Sequence, residues 1–284
     1  MRFSVLCGIL LGAAVIPGFA ADGNIFAYKV GSFEVWTLVE NRRAGGIPST
    51  LIGADKAALD RYFPGGTSES ETNTFLIRGS GKIILVDTGF GTTLFDSMKA
   101  LGISPDAVDA VLITHMHGDH IGGLQKDGKA LFSKAKVYLA QQERDFWTKT
   151  NVNQGAVAAL APYGNRVETF QPGELGARIA ELLPGITPIA AFGHTPGHTL
   201  FMVESSGQKL LIWGDLMHAE KIQFPRPDIS VTYDTDPVTA AASRKKVLEY
   251  AAANNIPIAG MHLVYPAIGR VSAEGSGYKL TPAQ

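Results

Sequence analysis

The sequence predicts a mixed α and β fold laid out in two successive halves. Three observations predict it. Short apolar runs joined by Gly-containing turns recur as hairpins, helical stretches alternate with them, and each half ends in a cluster of His and Asp.

Residues 1–20 read as a secretory signal. Arg2 supplies the positive start, residues 5–16 an apolar core too short to span a bilayer, and Gly18 and Ala20 the small residues before cleavage. The mature chain, residues 21–284, is expected to be a single domain, since no Pro/Ser linker or low-complexity tract divides it. It is expected to be periplasmic or secreted. No later segment is long and apolar enough to span a membrane. The one cysteine, Cys7, falls inside the signal, so any metal must be held by His and carboxylates. The 25 basic and 26 acidic residues give a net charge of -1, and loss of Arg2 leaves 24 minus 26, or -2. Without a run of like charge, neither nucleic acid nor, after signal removal, a membrane is expected as a partner. A small-molecule substrate is expected, and a homodimer is compatible with the sequence.

Taken in order, residues 26–30 and 33–39 are expected to pair as strands around Gly31-Ser32, followed by a polar loop over 41–49 and a short helix over 54–62. Residues 73–78 and 82–86 form the next hairpin, with Asp87 at its tip. A helix over 92–101 leads to the buried strand 110–113. Residues 137–139 read as a strand, and 141–149 and 154–160 as helices. After a Pro184-Gly185 turn come the strand 186–191 and a hairpin of 199–203 with 209–213. Residues 222–236 are Pro-containing and irregular, suiting a loop at a site mouth. Asp236 caps an amphipathic helix running through Ala252, with Pro237 in its first turn. Residues 256–259 read as the last buried strand.

The chemistry concentrates in Thr114-His115-Met116-His117-Gly118-Asp119-His120, directly after the strand 110–113. Alternate side chains of an extended chain share a face, so His115, His117 and Asp119 are expected to point the same way. Gly118 lets the backbone turn, and the start of a helix brings His120 round. Imidazole and carboxylate at this density suit zinc. Among the chain's seven histidines, His194, His198 and His262 also sit in Gly-containing turns after apolar runs. Asp215 follows the apolar run 210–213, and His218 lies three residues further on.

This series resembles the metallo-β-lactamase fold superfamily, whose H-x-H-x-D-H signature is followed by a distant His, Asp and His. The resemblance implies an α+β fold, a four-layer αββα sandwich with the site at the seam between its sheets. It implies that His115, His117 and His194 hold one ion, Asp119, His120 and His262 a second, and that Asp215 bridges them. Two divalent ions, Zn2+ by ligand type, would ionise a shared water near neutral pH as the nucleophile. Asp215 and Asp119 are therefore the catalytic candidates, Asp119 also as a proton shuttle to the leaving group. The resemblance places Asp87 behind a ligand histidine, fixing its tautomer, and His198 is expected in a similar supporting place. More narrowly, residues 113–123, 193–199 and 207–215 resemble the methyl parathion hydrolase group, which makes Trp147 a pocket-lining candidate. Phe90, Phe95, Phe224, Tyr265 and His218 complete the expected pocket.

The expected activity is hydrolysis of neutral, apolar lactones or aryl esters, with phosphotriesters as a further class. True β-lactamases of this fold lack the bridging carboxylate, so Asp215 argues against that activity. Di-iron relatives usually carry Glu where this chain has His117, which favours hydrolysis over redox chemistry. No Lys or Arg stands immediately beside the ligand motifs to receive a substrate carboxylate; Arg226, between Pro225 and Pro227, is the cation that threatens this argument. A β-lactamase-type amide hydrolase is one alternative. A non-catalytic metal-binding or signalling module is the other, and the intact ligand set argues against it.

Overall fold

In the computed structural model, residues 23–284 are described, so the signal read at 1–20, Cys7 included, lies outside the described residues. The chain begins with an antiparallel pair, β1 (Ile25–Val30) and β2 (Phe33–Ala44). A two-residue strand β3 (Leu51–Ile52) and helix α1 (Lys56–Tyr62) lead to the hairpin β4 (Glu69–Gly79) and β5 (Lys82–Val86). Helix α2 (Leu94–Ala100), strand β6 (Ala110–Leu112) and helix α3 (Gly118–Ile121) follow. After the small hairpin β7 (Gln125–Lys126) and β8 (Lys129–Ala130) come β9 (Lys136–Ala140), α4 (Gln141–Asp145), α5 (Gln154–Leu160) and β10 (Val167–Phe170). A seven-stranded sheet results, in the order β1-β2-β4-β5-β6-β9-β10.

The second half starts with β11 (Ile186–Ala190), β12 (Thr199–Ser205) and β13 (Gln208–Ile212). It continues through α6 (Glu220–Gln223), β14 (Ser230–Val231) and α7 (Pro237–Ala253). Strands β15 (Pro257–Ala259), β16 (Ile268–Glu274) and β17 (Gly277–Pro282) close it, giving a six-stranded sheet in the order β11-β12-β13-β15-β16-β17.

Side-chain alternation decides the layers. Phe75 and Ile77, Ile84 and Val86, and Ala110 and Leu112 enter one core with Phe201 and Leu211 of the second sheet. Leu76, Leu85 and Val111, lying between them in sequence, enter another core with Leu94 and Met98 of α2 and Ala156 of α5. On the far side, α7 buries Val247, Leu248 and Ala251 against the second sheet. The layers therefore run helix, sheet, sheet, helix, as an αββα sandwich. Among the described residues no helix is long and apolar enough to cross a membrane.

Four local expectations change. Residues 41–44 are strand, not loop, because β2 resumes pairing with β4 beyond an irregularity between Val39 and Asn41. The expected helix over 141–149 leaves α geometry at Phe146 and finishes as a π turn, Phe146–Thr150. The strand over 256–259 is not the last, since β16 and β17 extend its sheet. And α7 is not apolar along its inner face: Arg244 is fully buried there, donating to the carbonyls of Leu216, Pro227 and Ile229 at 2.7, 3.1 and 2.7 Å. Those bonds satisfy the buried cation and tie the irregular 216–229 stretch to the helix.

Strands β5 and β6 run parallel in the first sheet, and β13 and β15 parallel in the second. Their C-terminal ends deliver Asp87, the 114–120 motif, Asp215 and His262 to one edge of the sandwich.

Candidate metal centre

The three imidazoles expected to share an ion meet at one point. His115 Nε2, His117 Nδ1 and His194 Nε2 lie 3.0, 3.0 and 3.1 Å from one another. Asp215 Oδ2 completes the group, 3.5 Å from His115 Nε2 and 3.3 Å from His194 Nε2. Such spacing suits four ligands at about 2.0–2.2 Å from one tetrahedral ion. Asp119, His120 and His262 form a second group, and Asp215, His218 and His262 a third. His120 Nε2 stands 3.0 Å from Asp215 Oδ1, yet neither buried atom has a hydrogen-bond partner among the described residues. Two polar atoms converging without bonding leave a cost that an ion between them would remove. The donor set therefore fits two divalent cations, with Asp215 reaching both groups.

The supporting contacts account for the ring orientations. His120 Nδ1 donates to Asp87 Oδ2 at 2.7 Å, and Asp87 also accepts from Thr114 N and Thr114 Oγ1 at 2.8 and 2.6 Å. His194 Nδ1 donates to Asp234 Oδ1 at 2.8 Å, and His262 Nδ1 to the Glu71 carbonyl at 2.8 Å. Each partner leaves the opposite ring nitrogen free to face the centre. His198 supports Asp215 through the backbone. Its Nδ1 donates to the Ala191 carbonyl at 2.9 Å, and its Nε2 accepts from Asp215 N at 3.0 Å. Gly214 permits this approach: its φ is +57°, and a Cβ there would stand 2.5 Å from His198 Nε2.

Burial disfavours a charge on all seven rings; it wins at four of them, while the neighbouring carboxylates, Asp215 first, raise His120, His194 and His262. Burial lowers His115 well below the usual imidazole range, His117 and His198 to about 3, and His218 to about 4. Burial also opposes a charge on His194, but bonds to Asp215 and Asp234 outweigh it and push His194 up to about 9. Asp215 is likewise disfavoured as an anion by burial, yet the surrounding imidazoles, His120 first, hold it well below the carboxylate range.

A family model described as the metallo-β-lactamase superfamily matches residues 68–255. The chain belongs to that superfamily. Among solved members, AidC, described as a dizinc quorum-quenching lactonase in complex with a product, N-hexnoyl-L-homoserine, superposes with a TM-score of 0.82. The two are 26% identical, over 92% of this chain and 98% of that one. A hydrolase of the β-lactamase superfamily, AbOPH, superposes at 0.83 with 27% identity over the same shares. The β-lactamase-like protein 2 homolog of Caenorhabditis elegans is 29% identical over 160 residues, 55% of this chain and 48% of that protein. The matched stretches span about a quarter to a half of the length of the curated relatives.

A cleft of about 530 Å³ opens over the centre of this metallo-β-lactamase-type chain, bringing together His117, Asp119, Asp215, His218 and His262. Of the expected aromatic lining only Phe90 faces it, joined by Tyr233. Phe95 instead stacks on Phe132 at 5.9 Å inside the first-half core, because α2 turns that face to the sheet. Trp147 lies behind the centre: its ring meets His117 edge-on at 5.4 Å but lines a separate cavity of about 300 Å³. Phe224 packs on Trp213 at 6.1 Å, and Tyr265 meets Phe26 edge-on at 6.0 Å. These two border a different cleft, since α6 turns its apolar side to the core. His218 is buried in the site, with Nε2 3.0 Å from Asp215 Oδ2. Arg226 is paired with Asp228 at 2.8 Å and stays outside the cleft.

Sequence reasoning missed Glu143, Asp234, Tyr233 and Arg43. Glu143 is fully buried and accepts four hydrogen bonds. Oε1 receives Met116 N at 2.8 Å and Trp147 Nε1 at 2.6 Å; Oε2 receives Thr195 Oγ1 at 2.7 Å and Gly197 N at 3.0 Å. One carboxylate thus joins the loop of His115 and His117 to the loop of His194 and His198. Gly197 is the enabling residue, as a Cβ there would lie 2.3 Å from Glu143 N. The only sequence signal was an acidic residue in the first turn of α4, which reads as ordinary helix chemistry.

Proposed function

We propose that this chain is a dinuclear metal-dependent hydrolase that opens lactones and cleaves aryl esters, with phosphotriesters as a secondary class. The convergence of two His/Asp groups on one carboxylate, Asp215, carries the proposal. His115, His117 and His194 would hold one ion and Asp119, His120 and His262 the other. When bound, two such cations, taken as Zn2+ from the ligand types, bring the ionisation of water near neutral pH and polarise the substrate oxygen as Lewis acids.

The chain's own residues set the conditions for that chemistry. Asp87, Asp234 and the Glu71 carbonyl fix the tautomers of His120, His194 and His262. Asp119 keeps 25% of its side chain accessible at the cleft, so it is the ligand placed to pass a proton to the leaving-group oxygen. His218 lines the cleft beside the ligand cluster, its Nε2 3.0 Å from Asp215 Oδ2.

The likeness to a dizinc lactonase supports the carbonyl substrates, and the narrower sequence likeness to the methyl parathion hydrolase group supports the phosphotriesters. Export to the periplasm or medium is part of the proposal and rests on residues 1–20. The test is a panel of lactones, aryl esters, phosphotriesters and β-lactams on metal-loaded protein. Lactone and aryl ester turnover well above the free-zinc rate is expected. Rates at the free-zinc level for every substrate would refute it.

A further inference from the structure

We propose that the wall of the cleft formed by β2 and β4 is a subsite for an anionic group on the substrate, remote from the scissile bond and centred on Arg43. The inference rests on the hydrolase reading above and names a substrate feature that reading leaves open.

The β2–β4 register builds the wall. Asn41 pairs with Thr72 and Arg43 with Ser70, and alternate residues of a strand share a face. All four line the same cleft as His117, Asp119, Asp215, His218 and His262. Substrate in the cleft therefore lies between the ligand cluster and this strand pair.

Charge is distributed unevenly over the two faces. Arg42, pointing the other way, is matched: its Nε donates to Glu71 Oε1 at 2.8 Å and its Nη1 to Asn24 Oδ1 at 2.6 Å. Arg43 stands opposite Ser70, and no carboxylate pairs with it among the described residues. Its guanidinium instead lies 5.4 Å from the centre of the Phe90 ring, another cleft residue. A ring face steadies a cation without neutralising it. The neighbouring side chains Asn41, Ser70 and Thr72 are neutral hydrogen-bonding groups. The acids that line the cleft, Asp119 and Asp215, belong to the opposite, metal-binding wall.

A planar guanidinium with free donors matches a carboxylate, sulfonate or phosphate in two-point contact. Hydroxyl and amide donors beside it would take the remaining oxygen lone pairs. The class implied is an ester or lactone carrying an anionic substituent a few bonds from the carbonyl. This reverses the expectation that the cleft discriminates against carboxylate-bearing substrates, which assumed that no cation faces it.

The test compares mono-4-nitrophenyl glutarate with 4-nitrophenyl butyrate, which differ chiefly by a distal carboxylate, on metal-loaded enzyme. Arg43→Met keeps an apolar stem against Phe90 and removes the charge. The ratio of kcat/KM for the anionic ester to that for the neutral one is expected to fall about tenfold or more, about 1.4 kcal/mol. Arg43→Glu should lower the ratio further, and added salt should shrink the wild-type ratio. A ratio unchanged in both variants overturns the subsite. Calorimetry with benzenesulfonate and its neutral isostere methyl phenyl sulfone supplies a readout independent of turnover. Arg43→Met should weaken the sulfonate selectively, and equal changes for both probes, or binding of neither, overturn the proposal. If wild type hydrolyses neither ester, the lactone and phosphotriester panel decides the hydrolase reading, and the calorimetry decides the subsite by itself.

Discussion

Replacing Glu143 by Gln tests whether one buried carboxylate holds the centre together. Met116 N and Trp147 Nε1 meet Oε1, and Thr195 Oγ1 and Gly197 N meet Oε2. A glutamine must turn its NH2 toward one of these pairs. Facing Met116 and Trp147 it opposes two groups that only donate. Facing Thr195 and Gly197 it opposes one, because the threonine hydroxyl can rotate to accept. The second orientation costs less, and it still orphans the Gly197 N–H at about 1–3 kcal/mol. Loss of charge assistance to the remaining bonds adds about 1 kcal/mol, so a total of about 2–4 kcal/mol is expected. Because the orphaned bond lies in the loop of His194 and His198, metal affinity should also fall about 10-fold or more. Urea unfolding and a metal titration with a competing chelator read the two effects. Burial raises the pKa of Glu143 while the four donors oppose it. If burial won, the group would be a neutral acid, which glutamine mimics. Stability within about 0.5 kcal/mol of wild type and unchanged metal affinity would therefore refute the reasoning.

Four further outcomes are expected. Metal-loaded protein should contain about two divalent ions per chain by elemental analysis, and well under one in active enzyme would refute the dinuclear arrangement. Asp215→Asn should lose the second ion and about 100-fold in turnover, while Asp87→Ala, acting through His120, should mainly weaken metal affinity; wild-type turnover with both ions bound in the Asp215 variant would contradict its bridging place. Gly214→Ala, at φ +57° with its Cβ directed at His198 Nε2, should destabilise by about 1–3 kcal/mol in urea unfolding, and full stability there would show that the His198–Asp215 contact yields easily.

The sequence by itself determined the elements that present the candidate ligands. A buried strand ending in a glycine-containing turn releases its next side chains at a sheet edge, and that rule is local. It applies to His115, His117, Asp119 and His120 after β6, to Asp215 after β13, and to His262 after β15. That Asp87 would stand behind a ligand histidine came with the family resemblance, and it does reach His120. What lies across the centre was decided by tertiary structure alone. Glu143 meets its partners 27, 52 and 54 residues away, and Asp234 meets His194 from 40 away, inside a stretch that read as irregular loop. Neither carboxylate has a local pattern that distinguishes it from a solvated one. The pocket was least legible for the same reason. Phe95, Phe224 and Tyr265 lie close in sequence to site residues but on faces that pack elsewhere, and Arg43 enters the cleft only because β2 continues past its bulge into register with Ser70. Proximity along a chain constrains distance but not direction, and direction is set by which face the sheet and helix packing buries.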